Sequence, residues 1–174
     1  MDSVLYSNGH PLELAGPYDA PIAVAGSNGI AASSANDIIV LPWNNIEILR
    51  NTVARQRDDI AAIITEPIQC NTNCVIAKDG YLEEMRQICD DNGIVLIFDE
   101  VITGYRVALG GAQSMLGITP DMATYAKAIA AGYPLAMLAG KRDILKLLED
   151  GSTVHAGTLN SNIVAMSAAK ASLN

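Results

Sequence analysis

Gly93-Ile94-Val-Leu-Ile-Phe98-Asp99-Glu100 decides the fold: five consecutive apolar residues, entered from a glycine and closed by two acids. A run without polar alternation is expected of a strand buried on both faces, as in a parallel sheet covered by helices. Just upstream, Leu82, Met85, Ile88 and Cys89 form one stripe of a helix predicted over Tyr81 to Asp91, with Asp79 as its cap and Gly93 just past its end. Before that, Ile60-Ala-Ala-Ile-Ile-Thr65 repeats the doubly buried strand pattern and stops at Glu66-Pro67. Strand, helix, strand in this order predicts parallel neighbours joined by a right-handed crossover.

Beyond Glu100 the sequence predicts a glycine-rich link over 104–111, a short helix from Ala112 to Leu116, a turn at Thr119-Pro120-Asp121 and strands over Met122 to Tyr125 and Tyr133 to Ala139. A surface helix over 142–149, stopped by Gly151, and an alanine-rich helix from Ser161 to Leu173 complete this half. Toward the amino terminus, Ile46, Leu49 and Val53 recur at helical spacing between Asn44 and Arg57, with Asn44 or Asn45 as the cap. Residues 1–42 show no sustained period and carry repeated Gly and Pro, so they form an irregular, lid-like segment ahead of a domain over 43–174.

Composition narrows the function. Half of the 174 residues are apolar, enough for a packed domain. A net charge of -8 without any basic run argues against nucleic acid as a partner. The segment Met1 to Leu14 lacks a basic stretch followed by an apolar core, and no run is long enough to span a bilayer, which predicts a cytoplasmic protein that does not engage membranes. Cys70, Cys74 and Cys89 lack C-x-x-C spacing and accompany only two histidines, so free thiols and no metal are expected.

In a parallel sheet, ligands sit at the carboxyl ends of strands. Glu66, Asp99 with Glu100, and Lys127 fall at such ends. Each has an ordinary reading, since acids after strands commonly cap helices and lysines commonly lie on surfaces. Together they suggest more. Lys127 stands in Tyr125-Ala-Lys-Ala-Ile-Ala-Ala-Gly132 among small apolar neighbours. An amine in an apolar pocket is held neutral by desolvation and can condense with an aldehyde. Pyridoxal 5'-phosphate (PLP) is the common aldehyde cofactor, and a carboxylate such as Asp99 beside its pyridine nitrogen keeps that nitrogen protonated.

The words Ile97-Phe-Asp-Glu-Val-Ile-Thr-Gly-Tyr-Arg106, Gly117-Ile-Thr-Pro-Asp121 and Tyr125-Ala-Lys-Ala-Ile-Ala-Ala-Gly-Tyr-Pro134 closely resemble the class III aminotransferases, and within them the glutamate-1-semialdehyde aminomutase group. Thr65-Glu-Pro-Ile68 and Ala156-Gly-Thr-Leu159 extend the match to nearly the whole chain. The resemblance implies the α/β large domain of fold type I PLP enzymes, three-layered, with a mostly parallel sheet, here truncated. It also implies PLP-dependent amino-group transfer on a small amino-acid or amino-ketone substrate. Lys127 would be the Schiff-base lysine and proton shuttle, Asp99 the partner of the pyridine nitrogen and Val101 a cover for the ring face. Asn71 would lie near the ring's phenolic oxygen. Thr158 would serve the phosphate held by a neighbouring subunit, in a homodimer with shared sites.

The same resemblance places the phosphate-cradling loop, the stacking aromatic residue and the small domain outside this stretch, and it likens residues 7–36 to a mobile lid. Gln69-Cys-Asn-Thr-Asn73 departs from a glycine-containing loop, and Ala130-Ala131-Gly132 replaces three glycines whose lack of side chains admits close approach. Asn160-Ser-Asn-Ile163 replaces a pattern with glycine and proline. Arg106 stays open between a substrate carboxylate and an ordinary ion pair with Glu100 or another acid, and His155 between catalysis and a structural hydrogen bond. The alternative to an enzyme is a truncated, catalytically incompetent homologue acting only as a folded or oligomerising remnant. A nucleotide-binding module is a third reading, and no G-x-G-x-x-G follows any strand.

Overall fold

The structure is a computed structural model that describes residues 5, 6 and 10–174; the other positions of the lid-like segment, 1–4 and 7–9, lie outside the described residues. The chain divides into two compact units, residues 1–55 and 56–174. In the first, the described residues before position 46 are irregular: short 3-10 turns at Leu12–Leu14 and Ala32–Asp37 and an isolated bridge between Tyr6 and Ala25. Helix α1 (Ile46–Gln56) follows, and the Asn45 side chain caps it by accepting the Ile48 N–H at 3.1 Å.

The second unit is built on a four-stranded sheet. Its elements in chain order are β1 (Ala62–Thr65), a small hairpin of β2 (Ile68–Gln69) and β3 (Val75–Ile76), α2 (Tyr81–Asn92), β4 (Val95–Asp99), α3 (Gly111–Leu116), β5 (Met122–Tyr125), β6 (Met137–Gly140), α4 (Arg142–Glu149) and α5 (Ile163–Leu173). The sheet order is β1-β4-β5-β6. The pairs β1/β4 and β4/β5 are parallel, as the strand, helix, strand pattern requires, and β5/β6 is antiparallel. Leu82, Met85, Cys89, Leu96 and Phe98 are all buried, so the α2 stripe and alternate residues of β4 supply the core.

Four expectations need correction. Strand β1 is not buried on both faces: it lies at the sheet edge, and Ile64 is 64% exposed. Asp79 does not cap α2; Gly80, at φ 80°, holds the cap position without a side-chain bond. Residues 133–136 are not strand, because Ala131 and Gly132 adopt left-handed φ values in a turn closed by the Tyr133 N–H on the Ala130 carbonyl. With only a 3-10 turn and no crossover helix between β5 and β6, the chain returns antiparallel. Helix α5 starts at Ile163 rather than Ser161, where Asn162 accepts the Val164 and Ala165 N–H groups at 3.1 Å each.

All three cysteines are free. Burial pushes the Cys89 thiol up to about 11; Arg86 opposes the shift, and Asp121 and Asp90 add to it. Alkylation of the native chain at about pH 8 is therefore expected to modify exposed Cys74 and spare Cys89, by an order of magnitude or more in rate, until denaturant is added. Peptide mapping of the labelled chain checks this.

Candidate active site

Strands β4 and β5 run parallel with Asp99 opposite Thr124, so their carboxyl ends lie side by side. Period-two alternation along β4 sends Leu96 and Phe98 into the core and leaves Asp99 on the opposite, half-buried face. Its Oδ1 accepts the Val101 N–H at 3.0 Å and the Thr124 hydroxyl at 3.4 Å. Its Oδ2 accepts no hydrogen bond among the described residues. Val101, half-buried, is thus fixed by its own backbone to the acid two residues before it.

Glu100 turns the other way and is fully buried. Its carboxylate accepts from the Thr103 hydroxyl (2.9 Å), the Ala112 N–H (2.6 Å), the Gln113 N–H (3.1 Å) and the Gln113 side-chain amide (3.2 Å), which ties the end of β4 to the first turn of α3. Gly111 must lack a side chain here, because a Cβ would collide with this carboxylate. The two neighbouring acids therefore differ in role: Glu100 is the structural one, and its donors come from Thr103, Ala112 and Gln113 rather than from Arg106.

Past β5, Ala126 is extended and Lys127 takes a left-handed φ of 50°, a strained conformation for a side-chain-bearing residue. Lys127 begins a 3-10 turn, Lys127–Ala130, anchored by buried Ile129 and Ala130. Beneath it Tyr125 packs on Tyr105 (5.4 Å between rings) and bonds the Gln113 side chain; burial, with Glu100 and Tyr105 nearby, pushes its hydroxyl up to about 12. The small apolar neighbours do not bury the lysine: Ile129 and Ala130 turn inward, and the Lys127 side chain is exposed. It makes no hydrogen bond or ion pair among the described residues and lines an open cavity of about 500 Å³ with Arg106, Ala128, Ala131, Gly132 and Tyr133. Asp99 is at the neighbouring strand end and is not part of that wall.

Asn71 is exposed in the turn between β2 and β3. Its Nδ2 donates to Glu66 Oε1 at 3.0 Å, while Glu66 Oε2 accepts the N–H groups of Cys70 (3.0 Å) and Asn71 (3.4 Å). The sequence marks Glu66 as polar at a strand end; that it reaches five residues ahead to hold Asn71 becomes visible only once the turn is built. Thr158 and His155 are exposed, and Thr158 sits in a turn closed by the Asn160 N–H on the Gly157 carbonyl and is not part of the Lys127 cavity wall.

The family model for class III aminotransferases matches residues 18–174. The chain belongs to the class III aminotransferases. It is 40% identical over 161 residues to glutamate-1-semialdehyde 2,1-aminomutase of Ignicoccus hospitalis, covering 92% of this chain and 38% of that protein. Among solved structures it is similar to an omega-transaminase from Sphaerobacter thermophilus (TM-score 0.83, 32% identity, 88% of this chain and 36% of that one). It is also similar to a transaminase with PLP bound (TM-score 0.86, 31% identity, 99% and 40%). This class III aminotransferase chain thus spans about two fifths of the length of the relatives it matches, and its mostly parallel α/β sheet is part of their fold type I domain. Among the described residues of this aminotransferase chain no helix is long and apolar enough to cross a membrane. Its departure from the family's glycines has a visible cost: Ala131 carries a left-handed φ of 50° that glycine would adopt without strain.

Proposed function

We propose that residues 43–174 form part of the PLP-binding large domain of a cytoplasmic enzyme that transfers an amino group on a small amino-acid or amino-ketone substrate. The observation that carries this reading is the pairing, at adjacent parallel strand ends, of two groups that have no partner among the described residues: the Lys127 amine and Asp99 Oδ2. An amine, a carboxylate oxygen that can accept and the half-buried apolar side chain of Val101 are groups that fit PLP. When bound, that cofactor supplies an aldehyde and an electron-accepting ring.

The chain's own residues then have distinct tasks. Asp99 Oδ2 holds a proton at the ring nitrogen through a charge-assisted hydrogen bond, and its other oxygen is kept in place by the Val101 N–H and Thr124 hydroxyl. Val101 covers one ring face. Lys127 Nζ would shuttle the proton between the substrate carbon and the cofactor's C4'. Asn71 offers its amide to the phenolic oxygen. Thr158, exposed and without a side-chain hydrogen bond among the described residues, would donate to the phosphate of a neighbouring subunit, which would make the enzyme a homodimer with shared sites.

The exposure of Lys127 favours a second reading, a folded remnant without turnover. Incubation with PLP, a ¹⁵N-labelled amine donor and a keto acceptor separates the two. Label appearing on the acceptor, or moved within a single diamino or amino-ketone molecule, supports transferase or aminomutase chemistry; label remaining on the donor supports the remnant. Asp99→Asn is expected to lower kcat/KM by roughly 10- to 100-fold, the loss of one charge-assisted hydrogen bond. Steady-state kinetics at saturating PLP checks this.

A further inference from the structure

We propose that Glu66 is a positioning residue that fixes the orientation of the Asn71 amide and, through it, the hydrogen bond available to the phenolic oxygen of the cofactor ring. The inference rests on the PLP reading above and adds to it a residue that the reading does not use. An asparagine amide presents an oxygen and an NH2 group of nearly equal shape, so an exposed, unconstrained side chain has no preferred end to offer a ligand. A carboxylate can only accept. Glu66 Oε1, 3.0 Å from Asn71 Nδ2, therefore selects the orientation with the NH2 group toward itself.

The carboxylate is itself held. Its second oxygen takes the backbone N–H groups of Cys70 and Asn71, so three donors from two consecutive residues converge on one side chain. Glu66 follows directly on the last residue of β1 and precedes buried Pro67, and the neighbouring Thr65 hydroxyl donates to its carbonyl at 3.0 Å. Strand end, carboxylate, turn and amide thus form one rigid chain of contacts. One N–H of Asn71 is spent on Glu66, and the second is left for an acceptor such as a phenolate oxygen. This arrangement stands where the sequence replaces a glycine-containing loop with Gln69-Cys-Asn-Thr-Asn73; Asn73 and the Cys74 that follows it both take left-handed φ values. The turn keeps its shape by carboxylate anchoring.

The test compares the wild-type chain with Glu66→Gln, Asn71→Ala and the double variant, by two readouts. The first is the ¹⁵N-resolved NH2 resonance of the Asn71 side chain, identified by its absence in Asn71→Ala. The second is the pH midpoint at which the visible band of the PLP-loaded chain titrates. Glu66→Gln is expected to collapse the amide resonance toward that of free asparagine. It is also expected to raise the band's midpoint as much as Asn71→Ala does, with no further rise in the double variant, because an oxygen left without its donor holds a proton more tightly. An unchanged amide resonance, an unchanged midpoint, or a double variant whose shift is the sum of the singles would overturn the proposal. Should Glu66→Gln not accumulate as folded protein, Glu66→Asp, which keeps the charge but withdraws it by one methylene, takes its place with the same outcomes. A wild-type chain that shows the amide coupling yet never colours with PLP overturns the cofactor reading, and with it the second half of the proposal, while the Glu66 to Asn71 link stands.

Discussion

Lys127→Ala is expected to abolish the visible absorbance that PLP acquires on binding and to lower amino-group transfer by at least about 10⁴-fold, the upper range for a lost general acid and base. The size follows from the number of tasks one amine performs. In the proposed function it would join the cofactor covalently and would also carry the proton whose movement defines the reaction, so no neighbouring group would replace it. Arg106, the other cation on the cavity wall, presents a guanidinium, which offers donors but no acceptor and cannot act as a base. The substitution should leave stability nearly intact or slightly improved, because the side chain is exposed and makes no bond or ion pair among the described residues. Loss of colour with an unchanged unfolding curve is the combination to look for; loss of both would mean that the residue is structural.

Asp121→Ala is expected to destabilise the second unit by about 3–5 kcal/mol, a large share of the roughly 5–15 kcal/mol that holds a domain together. Asp121 is buried, and its carboxylate accepts the Leu96 N–H of β4 at 2.7 Å, Arg86 of α2 at 2.9 Å and Lys141, just before α4, at 2.5 Å. Removing it strands the largely buried Arg86 guanidinium with only the more exposed Asp90 at 2.7 Å and leaves the Leu96 N–H unsatisfied. Burial alone works against ionisation of Asp121, but the bonds from Lys141, Leu96 and Arg86 outweigh it and hold the carboxyl below its ordinary value of 3.8. Between those two values the folded chain binds fewer protons than the unfolded chain. The stabilisation is therefore full above the ordinary value and disappears as pH falls through the depressed one. Denaturant unfolding across the acid range should show this loss in the wild type and its absence in the variant.

The parts of the fold that were readable share one cause: their signal is local. Continuous apolar runs mark β1 and β4, a one-sided stripe marks α2, and Gly93 marks its end with a φ of 67°, so the parallel core follows from short windows of sequence. The exposure of β1 is a matter of its place at the sheet edge, which no local pattern encodes. The split between Asp99 and Glu100 was accessible in principle, since alternation from buried Phe98 sends one acid outward and the next inward. Lys127 was readable as a strand-end amine, whereas its exposure depends on a left-handed backbone that Ala-Lys-Ala does not announce. The grip of Glu66 on Asn71 depends on the shape of the turn between them, which no local sequence pattern encodes.

Incubation of the chain with PLP, borohydride reduction and peptide mapping ask directly whether the amine at 127 is the one that meets the cofactor. The phosphopyridoxyl mass is predicted on the peptide containing Lys127 and to be lost in Lys127→Ala. Its appearance instead on Lys78, Lys141, Lys146 or Lys170, or on no lysine at saturating PLP, would contradict the assignment of the site to the carboxyl ends of β4 and β5.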